Sequence, residues 1–516
     1  MIYFLLVDRF FDGQPANNLG IDPADPQAFH GGDLEGLTTH LDALSALGVD
    51  TIWLGPIADM RDTSFFGNGA FHGYWTENLD RLEPRFGTDA DLVRLVAALH
   101  RRKMGLVLDM VYNHLAPDHP WVEQRPAWFH GLGPIVDWGD AEQARTRDVH
   151  GLPDLAQENL DVFDYLRSAT FGWLQRAHPV ALRIDAVRHL APEFLARIGA
   201  DVRARTSGRF QLWGEVFDGN VASVVETRAA ARLDAVFDFP LHYALREVVC
   251  GDQAAAAIPS VLDRGAGVPP DAWITFLDNH DTARITTACH DNTERVDLAL
   301  SLLFALRGRP MITWGTEWGA VGAGEPENRA DMRWVAADSA EAARHDARLS
   351  LLRTLASSRR TTPALAKGTS RTIGLGGDWF VIERTAGTSV RWVAYNGGVE
   401  TRTFAGVALP PRTVTVIDPV SVGAVAPRVR AGWTTIEVPN PPPLAAGDSL
   451  RLVGSAAALG DWHPSRGVPV PGRVKLPAGA AAFKLVVTHA DGTATFAPGQ
   501  NQWMLGAEKR RDVSWE

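Results

Sequence analysis

The sequence predicts an α/β protein built on a (β/α)8 TIM barrel, with an inserted subdomain after strand three, a small all-β domain and a C-terminal β-sandwich. Three observations predict it. Eight short β-rich apolar runs alternate with segments whose apolar residues recur at three- and four-residue spacing, the pattern of βαβ units and a parallel sheet. Several of those runs end in charged side chains, and C-terminal strand ends are where such barrels place their chemistry. After Pro363 the pattern changes to short strands separated by turns.

The candidate strands are Ile2–Val7, Thr51–Leu54, Leu106–Met110, Ala181–Ile184, Gln211–Gly214, Ala235–Phe239, Trp273–Leu277 and Met311–Trp314. Ile2–Val7 has no basic residues before it and reaches Asp8-Arg9 before any cleavage signature, so it reads as a buried strand and not as a leader. Helical spacing covers Leu34–Leu47, Leu92–Leu99, Phe163–Leu174, Phe194–Val202 and Val296–Leu306. Residues 114–158 have little periodicity and many Pro, Trp, Asp and His residues, and a loop this long reads as a small functional subdomain. The barrel is thus expected over 1–113 and 159–362. An all-β domain follows over 363–421, with strands at Trp379–Glu383, Arg391–Tyr395 and Thr413–Ile417. A small-residue linker over 422–432 leads to a β-sandwich over 433–516.

Composition bounds the function. A chain of 516 residues is more than one core comfortably holds, and 46% apolar with 22% charged residues excludes a mostly disordered chain, a collagen and a membrane bundle. A net charge of −11, from 61 acids against 50 bases, argues against nucleic acid or an anionic membrane as partner. No apolar run reaches the ~20 residues of a membrane span. Cys250 and Cys289 allow at most one disulfide and no Cys-based zinc site, which leaves the redox compartment open. The 17 Trp against 6 Tyr offer broad flat faces that suit flat ligands as well as cores.

The strand ends carry the chemistry. Strand three ends in Asp109 and continues Val-Tyr-Asn113-His114, strand four carries Arg183 and Asp185, strand five ends in Glu215, and strand seven ends in Asp278-Asn-His280-Asp281. Splitting a glycosidic bond needs one protonated carboxyl and one ionised carboxylate close to it. Arg183 and Asp185, two residues apart on one strand, face the same side, where the guanidinium keeps Asp185 ionised as a nucleophile. Glu215, beside apolar Trp213 and Val216, has the surroundings that raise a carboxyl pKa and make a general acid and then base. Asp281 would brace the sugar hydroxyls and the cationic transition state.

The segments Asp109-Met-Val-Tyr-Asn-His114, Leu182-Arg-Ile-Asp-Ala-Val-Arg-His189, Gly214-Glu-Val-Phe217 and Phe276-Leu-Asp-Asn-His-Asp281 resemble, in order and spacing, the motifs of the α-amylase family, glycoside hydrolase family 13. Phe71-His-Gly-Tyr-Trp75 and Leu152-Pro-Asp-Leu155 support the resemblance, which runs from the first residue to about Ser421 and points to α-amylases and cyclodextrin glucanotransferase-like enzymes. It implies Asp185 as nucleophile, Glu215 as acid/base and Asp281 as transition-state stabiliser. It also implies that Arg183, His114 and His280 hold the sugar at the cleavage point, with Tyr74 stacking on its ring, His72 bonding a hydroxyl and Trp75 lining the site.

The same resemblance implies Ca2+ between the barrel and the insertion, held by Asn113, Asp154 and the His189 carbonyl. A second calcium site like that of cyclodextrin glucanotransferases would use Asp12, Asn17, Asn18, Gly31 and Asp33, with Gln14 standing where those enzymes carry asparagine. The C-terminal segment resembles a family-20 starch-binding module through Leu459-Gly-Asp-Trp462, Leu476-Pro-Ala-Gly479, Phe483-Lys484, Asp491-Gly-Thr493 and Gly499-Gln-Asn501. Trp462, Lys484 and Asn501 match its binding positions, and Phe496 stands where a second stacking tryptophan is usual.

His150 stands where cyclodextrin-forming enzymes have Tyr or Phe, and the short linker leaves no room for their extra β domain, so hydrolysis is favoured over cyclisation. Phe217 matches an acceptor-side aromatic of transferases, and Glu325 and Arg329 match donor-side contacts, so a 4-α-glucanotransferase, a cyclodextrin glucanotransferase or a cyclodextrin hydrolase stays open. A non-catalytic glucan-binding protein is the rival from another class, and retention of all three acids weighs against it. The expectation is an endo-acting, monomeric α-amylase on starch, maltooligosaccharides or cyclodextrins. Substrate size points to an extracellular protein, although no signal peptide is present in the chain and a cytoplasmic place stays open.

Overall fold

The computed structural model describes residues 1–206, 208, 210–334, 340–424, 433–470, 473–477, 481–498, 501–504 and 510–515. Most of the expected linker, 425–432, lies outside the described residues, as do Ala478-Gly479 and Gly499-Gln500 of the module motifs.

Eight parallel strands close into a barrel: β1 (Ile2–Leu5), β2 (Thr51–Leu54), β3 (Gly105–Met110), β4 (Ala181–Ile184), β5 (Gln211–Gly214), β6 (Ala235–Phe237), β7 (Trp273–Thr275) and β8 (Arg309–Thr313). Ile2 pairs with Thr51 on one side and Met311 on the other, which closes the ring. The strands are buried on both faces, and so they read as continuous apolar runs without alternation. β6 ends two residues before its apolar run does. Asp238 turns the chain there, its Oδ1 accepting from the Leu241 N–H at 3.2 Å and capping a helix that starts at Phe239.

The surrounding helices are α1 (Leu34–Leu47), α2 (Asp89–Arg101), α3 (Leu160–Ala177), α4 (Pro192–Arg205), α5 (Val221–Ala230), α6 (Phe239–Val249), α7 (Ala257–Arg264), α8 (Thr293–Ala305) and α9 (Ala340–Thr361). Their ends follow local chemistry. Asp33 caps α1 by accepting from the Gly36 N–H at 2.7 Å, and Gly48 ends it at φ 98°, a left-handed conformation that costs glycine nothing. Thr88 and Asp91 form a capping box at α2.

Inside the barrel Phe4 stacks on Trp53 at 3.9 Å, and Trp213, Trp273 and Trp314 are buried, so these tryptophans are packing. The insertion is tied to α3 by Trp121 and Trp128, whose rings lie 5.3 and 5.6 Å from Tyr165 with the Arg125 guanidinium over both indoles.

Behind the barrel a helical turn, Pro363–Lys367, precedes an antiparallel sheet of β9 (Thr369–Leu375), β10 (Trp379–Ala386), β11 (Ser389–Asn396) and β12 (Thr413–Ile417). The turn was not foreseen; proline at its first position is preset for a helix start. Two further sheets pack around Ile436, Leu452, Phe483 and Leu485. One holds β13 (Trp433–Glu437) between β16 (Arg473–Pro477) and β20 (Arg510–Asp512). The other runs β15 (Val468–Pro469), β14 (Ser449–Gly454), β17 (Ala481–Thr488) and β18 (Ala494–Phe496), with β19 (Gln502–Met504) also on β17.

Helix α7 touches all three units. Ile258 and Leu262 are part of the barrel core. The Thr372 hydroxyl of β9 donates to the Asp263 carboxylate at 3.0 Å. Ser260 Oγ lies 3.3 Å from Ser455 Oγ after β14, and Arg264 pairs with Asp461 at 2.7 Å. No helix among the described residues is long and apolar enough to cross a membrane.

Cys250, at the end of α6, is disulfide-bonded to Cys289, 39 residues on and just before α8. Closing a loop of that size restricts the unfolded chain by about 4 kcal/mol on the chain-entropy account. A Cys250→Ser/Cys289→Ser variant is expected to lose about 2–4 kcal/mol in urea unfolding; an unchanged midpoint would contradict this.

Candidate active site

Strand register assembles the site. Asp109 on β3 pairs with Arg183 on β4, and Arg183 with Trp213 on β5, so residues at the ends of three adjacent strands converge. Arg183 is 1% exposed. Its Nη1 donates to Asp109 Oδ1 at 2.8 Å and to Asp185 Oδ1 at 2.7 Å, while Nη2 lies 2.8 Å from Glu215 Oε1. The second Glu215 oxygen accepts from the Ala186 N–H at 3.1 Å. Asp109 Oδ2 in turn accepts from the Trp53 indole N–H at 3.2 Å and the Tyr74 hydroxyl at 3.0 Å.

These surroundings separate the carboxyls. Burial pushes Glu215 up to about 8 against the opposing pull of Arg183, and pushes Asp109 up to about 7. Burial also acts to raise Asp281, but His280, Arg329 and Arg183 outweigh it and hold that carboxyl below its ordinary value. The acid at the end of β5 is therefore kept protonated at neutral pH while Asp281 stays ionised.

The ring residues gather around this centre. Tyr74 lies parallel to His280, centroids 5.0 Å apart at 1°, with His72 on a near-parallel plane at 5.8 Å. Burial pushes His280 down to about 3 against the pull of Asp281, whose Oδ2 lies 3.2 Å from Nε2, and its Nδ1 is buried without a hydrogen-bond partner among the described residues. His114 Nε2 is 3.0 Å from the Tyr74 carbonyl oxygen. Trp75 is half-buried, edge-on to His72. Phe217, 41% exposed after β5, lies against Phe239. Arg329 was expected to contact substrate, yet its guanidinium is engaged with protein: Nε donates to the His280 carbonyl at 2.9 Å, Nη2 to Asp281 at 3.1 Å and Nη1 to Glu325 at 2.7 Å. It braces Asp281, and Glu325 stands at the rim.

The expected calcium ligands also meet. One end of the Asn113 side-chain amide lies 2.7 Å from the His189 carbonyl oxygen and 3.2 Å from Asp154 Oδ1. As nitrogen it would donate to both. As oxygen it makes three acceptors with no donor among them, the arrangement a hard cation occupies. Asp154 is pushed up to about 7 by burial, and its other oxygen is 2.5 Å from His130 Nδ1. In the second loop, Asp12 Oδ1, Asn17 Oδ1 and Asn18 Oδ1 are all buried without hydrogen-bond partners. A Cβ on Gly31 would sit 2.7 Å from Asn18 Oδ1. Asp33 differs: its oxygens already accept from the N–H groups of Gly13, Gln14 and Gly36 and from Asn17 Nδ2. Among the described residues no three His, Cys, Asp or Glu side chains are arranged to hold a metal ion by themselves, so a cation here would rest largely on amide and carbonyl oxygens.

The module residues lie on or beside the β14–β17 sheet. Lys484 pairs with Val453, Phe496 with Val486, and the Trp462 N–H donates to the Gly454 carbonyl at 2.9 Å. Trp462 and Lys484 are half-buried, and Phe496 and Asn501 exposed. Sequence reasoning missed Asp109 as the anchor of Arg183 and His130 as the partner of Asp154. The strand-end position of Asp109 was the available signal; nothing local marks His130.

A closed parallel barrel with paired carboxyls of opposite protonation at its strand ends defines a glycoside hydrolase. The family described as alpha amylase, catalytic domain, matches residues 4–129 and 137–352. The cyclomaltodextrin glucanotransferase of Klebsiella oxytoca is 31% identical over 484 residues, spanning 79% of this chain and 72% of its own length. That of Thermoanaerobacterium thermosulfurigenes is 28% identical over 456 residues, 80% of this chain but only 62% of its own length. The crystal structure of the α-amylase from Geobacillus thermoleovorans, complexed with acarbose, superposes with a TM-score of 0.69 at 28% identity, covering 94% of this chain and 97% of that one. The chain belongs to the α-amylase family and is a glycoside hydrolase of the α-amylase type.

Arg183 keeps Asp185 and Glu215 when Asp109 is removed, but the buried Trp53 indole N–H and Tyr74 hydroxyl lose their acceptor, at about 1–3 kcal/mol. Asp109→Ala is expected to destabilise the protein by that amount in urea unfolding, and a loss under about 1 kcal/mol would deny it the anchoring role.

Proposed function

We propose that the protein hydrolyses internal α-1,4-glucosidic bonds of starch-like glucans with retention, through a covalent glycosyl-enzyme. The observation that carries this is the single buried guanidinium of Arg183 bonded to both Asp185 and Glu215, with Glu215 pushed up to about 8. In the first step the Glu215 carboxyl donates its proton to the glycosidic oxygen as the Asp185 carboxylate attacks C1, and the C1–O bond breaks. In the second, the Glu215 carboxylate takes a proton from water, whose oxygen attacks C1 and frees Asp185. Asp281, braced and kept ionised by Arg329, faces the positive charge that develops at C1 in the transition state of each step.

Calcium fits the oxygen cluster of Asn113, Asp154 and His189, where it would neutralise a buried carboxylate and pin the insertion beside His114. Asp12, Asn17 and Asn18 offer a second set through their unpartnered oxygens, with the Gly31 carbonyl beside them and Asp33 contributing least. The β-sandwich carries the starch-binding role through Trp462, Lys484, Phe496 and Asn501. The Cys250–Cys289 disulfide supports an oxidising, extracellular setting. Transfer to a sugar acceptor is the second reading, favoured by exposed Phe217 beside the acid/base strand.

Asp185→Asn and Glu215→Gln are each expected to cut kcat on soluble starch by at least about 10²–10⁴-fold, read as reducing-sugar release. Because Glu215 acts first in its protonated form, kcat/KM should fall as pH rises through about 8. NMR of the first product should show the α anomer; a β anomer would sink retention. Abundant cyclic or elongated products from maltoheptaose would turn the assignment to transfer. Chelation should lower the unfolding temperature of the native protein, and Asn113→Ala should reduce that dependence to the share of the second site; indifference to chelator would remove calcium from the account.

A further inference from the structure

The turn before Trp462 is strained, and it is held both by backbone bonds within the module, such as Trp462 N–H to the Gly454 carbonyl, and by side chains of the barrel. Gly460, Asp461 and Trp462 have φ of 78°, 48° and 66°, three consecutive left-handed residues of which only the first adopts that region freely. A bulky residue there is a genuine outlier, and it persists only where surrounding contacts over-determine it. Here they do. The Asp461 carboxylate accepts from Arg264 Nη2 at 2.7 Å, and its carbonyl accepts from Asn220 Nδ2 at 3.2 Å. Arg264 also donates to Asn220 Oδ1 at 3.2 Å, which closes a three-residue cluster of α7, the start of α5 and the module turn. The Arg264 and Asp461 side chains are 17% and 19% exposed, so this pair is shielded beyond the surface norm.

The docking extends past one ion pair. Ser455 Oγ accepts from the Ala482 N–H at 3.0 Å while reaching Ser260 of α7, and Trp503, paired with Ala482 in the sheet, packs against the barrel core. The Ala482 end of β17, on the face away from the sandwich core, is thus seated on the barrel. Asn220 lies three residues after Phe217, so their Cα atoms are at most about 11 Å apart. The exposed aromatic on the strand-five loop and the module tryptophan are therefore joined by one short chain of contacts.

We infer that Asp461, clamped by Arg264 and Asn220, is a positioning residue that sets Trp462 at the Phe217 side of the cleft, so that one long α-glucan occupies both the cleavage site and the module. This rests on the starch-binding reading of residues 433–516. The consequence is a preference for long chains that comes from placement and not from added contact at the reacting sugar.

The test uses the full-length chain. Arg264→Ala removes the clamp, and Asp461→Gly removes the carboxylate while leaving the left-handed backbone unstrained. Both are expected to raise KM for long amylose about five-fold or more, with kcat and the kcat/KM for maltotriose within about two-fold of wild type and with granule adsorption retained. Arg264→Lys should restore most of the amylose KM. An unchanged amylose KM in both variants overturns the inference. Loss of granule adsorption together with the KM change also overturns it, because the turn would then have a merely structural role. A wild-type protein that does not adsorb to starch granules fails the parent reading instead, and the inference with it.

Discussion

A cation sealed inside the barrel sets the terms for this site. Arg183 has almost no access to water, so its charge must be answered by carboxylates held at hydrogen-bond distance. Three adjacent strands supply them, Asp109 from β3, Asp185 from β4 and Glu215 from β5, and each is present only if the register between those strands is kept. The arrangement couples stability to chemistry. One guanidinium cannot fully compensate three buried acids, and burial leaves Glu215 holding its proton against the pull of Arg183.

Much of this was legible in the amino-acid order. Runs such as Thr51–Leu54, Ala181–Ile184 and Gln211–Gly214 are strands over those same residues, because parallel barrel strands are buried on both faces and their apolar runs have sharp ends. The gathering of Arg183, Asp185, Glu215 and Asp281 followed from their strand-end positions. Less legible was anything depending on residues far apart with no periodic relation. The bond between Asn220 and Asp461 spans 241 positions, and nothing near either residue announces it. Arg329 shows a different limit: its position beside the site was readable, but only coordinates reveal that three of its five N–H groups bond Asp281, Glu325 and a backbone carbonyl. Asp33 is a third case, a residue fit for a cation whose oxygens already hold the turn before α1.

The tryptophans divide along the same line. Those on the barrel strands are buried among other rings, while Trp121 and Trp128 fasten the insertion to α3 through Tyr165 and Arg125. Few remain for sugar, and the insertion is held from two sides, by this aromatic cluster and by the oxygen cluster at Asn113. His114, which follows Asn113 directly, is placed between them.

Helix α7 gives the chain an unexpected indivisibility. Three residues within one and a half turns, Ser260, Asp263 and Arg264, meet the sandwich and the sheet behind the barrel, while Leu262 between them is core. Exchanging the C-terminal unit for a foreign one would strand Arg264 without its acid and leave Ser260 facing an unmatched surface. Units that look like separable cassettes in the sequence therefore share one helix as a common seat, and a foreign unit joined at the linker would meet side chains on α7 that answer a different surface.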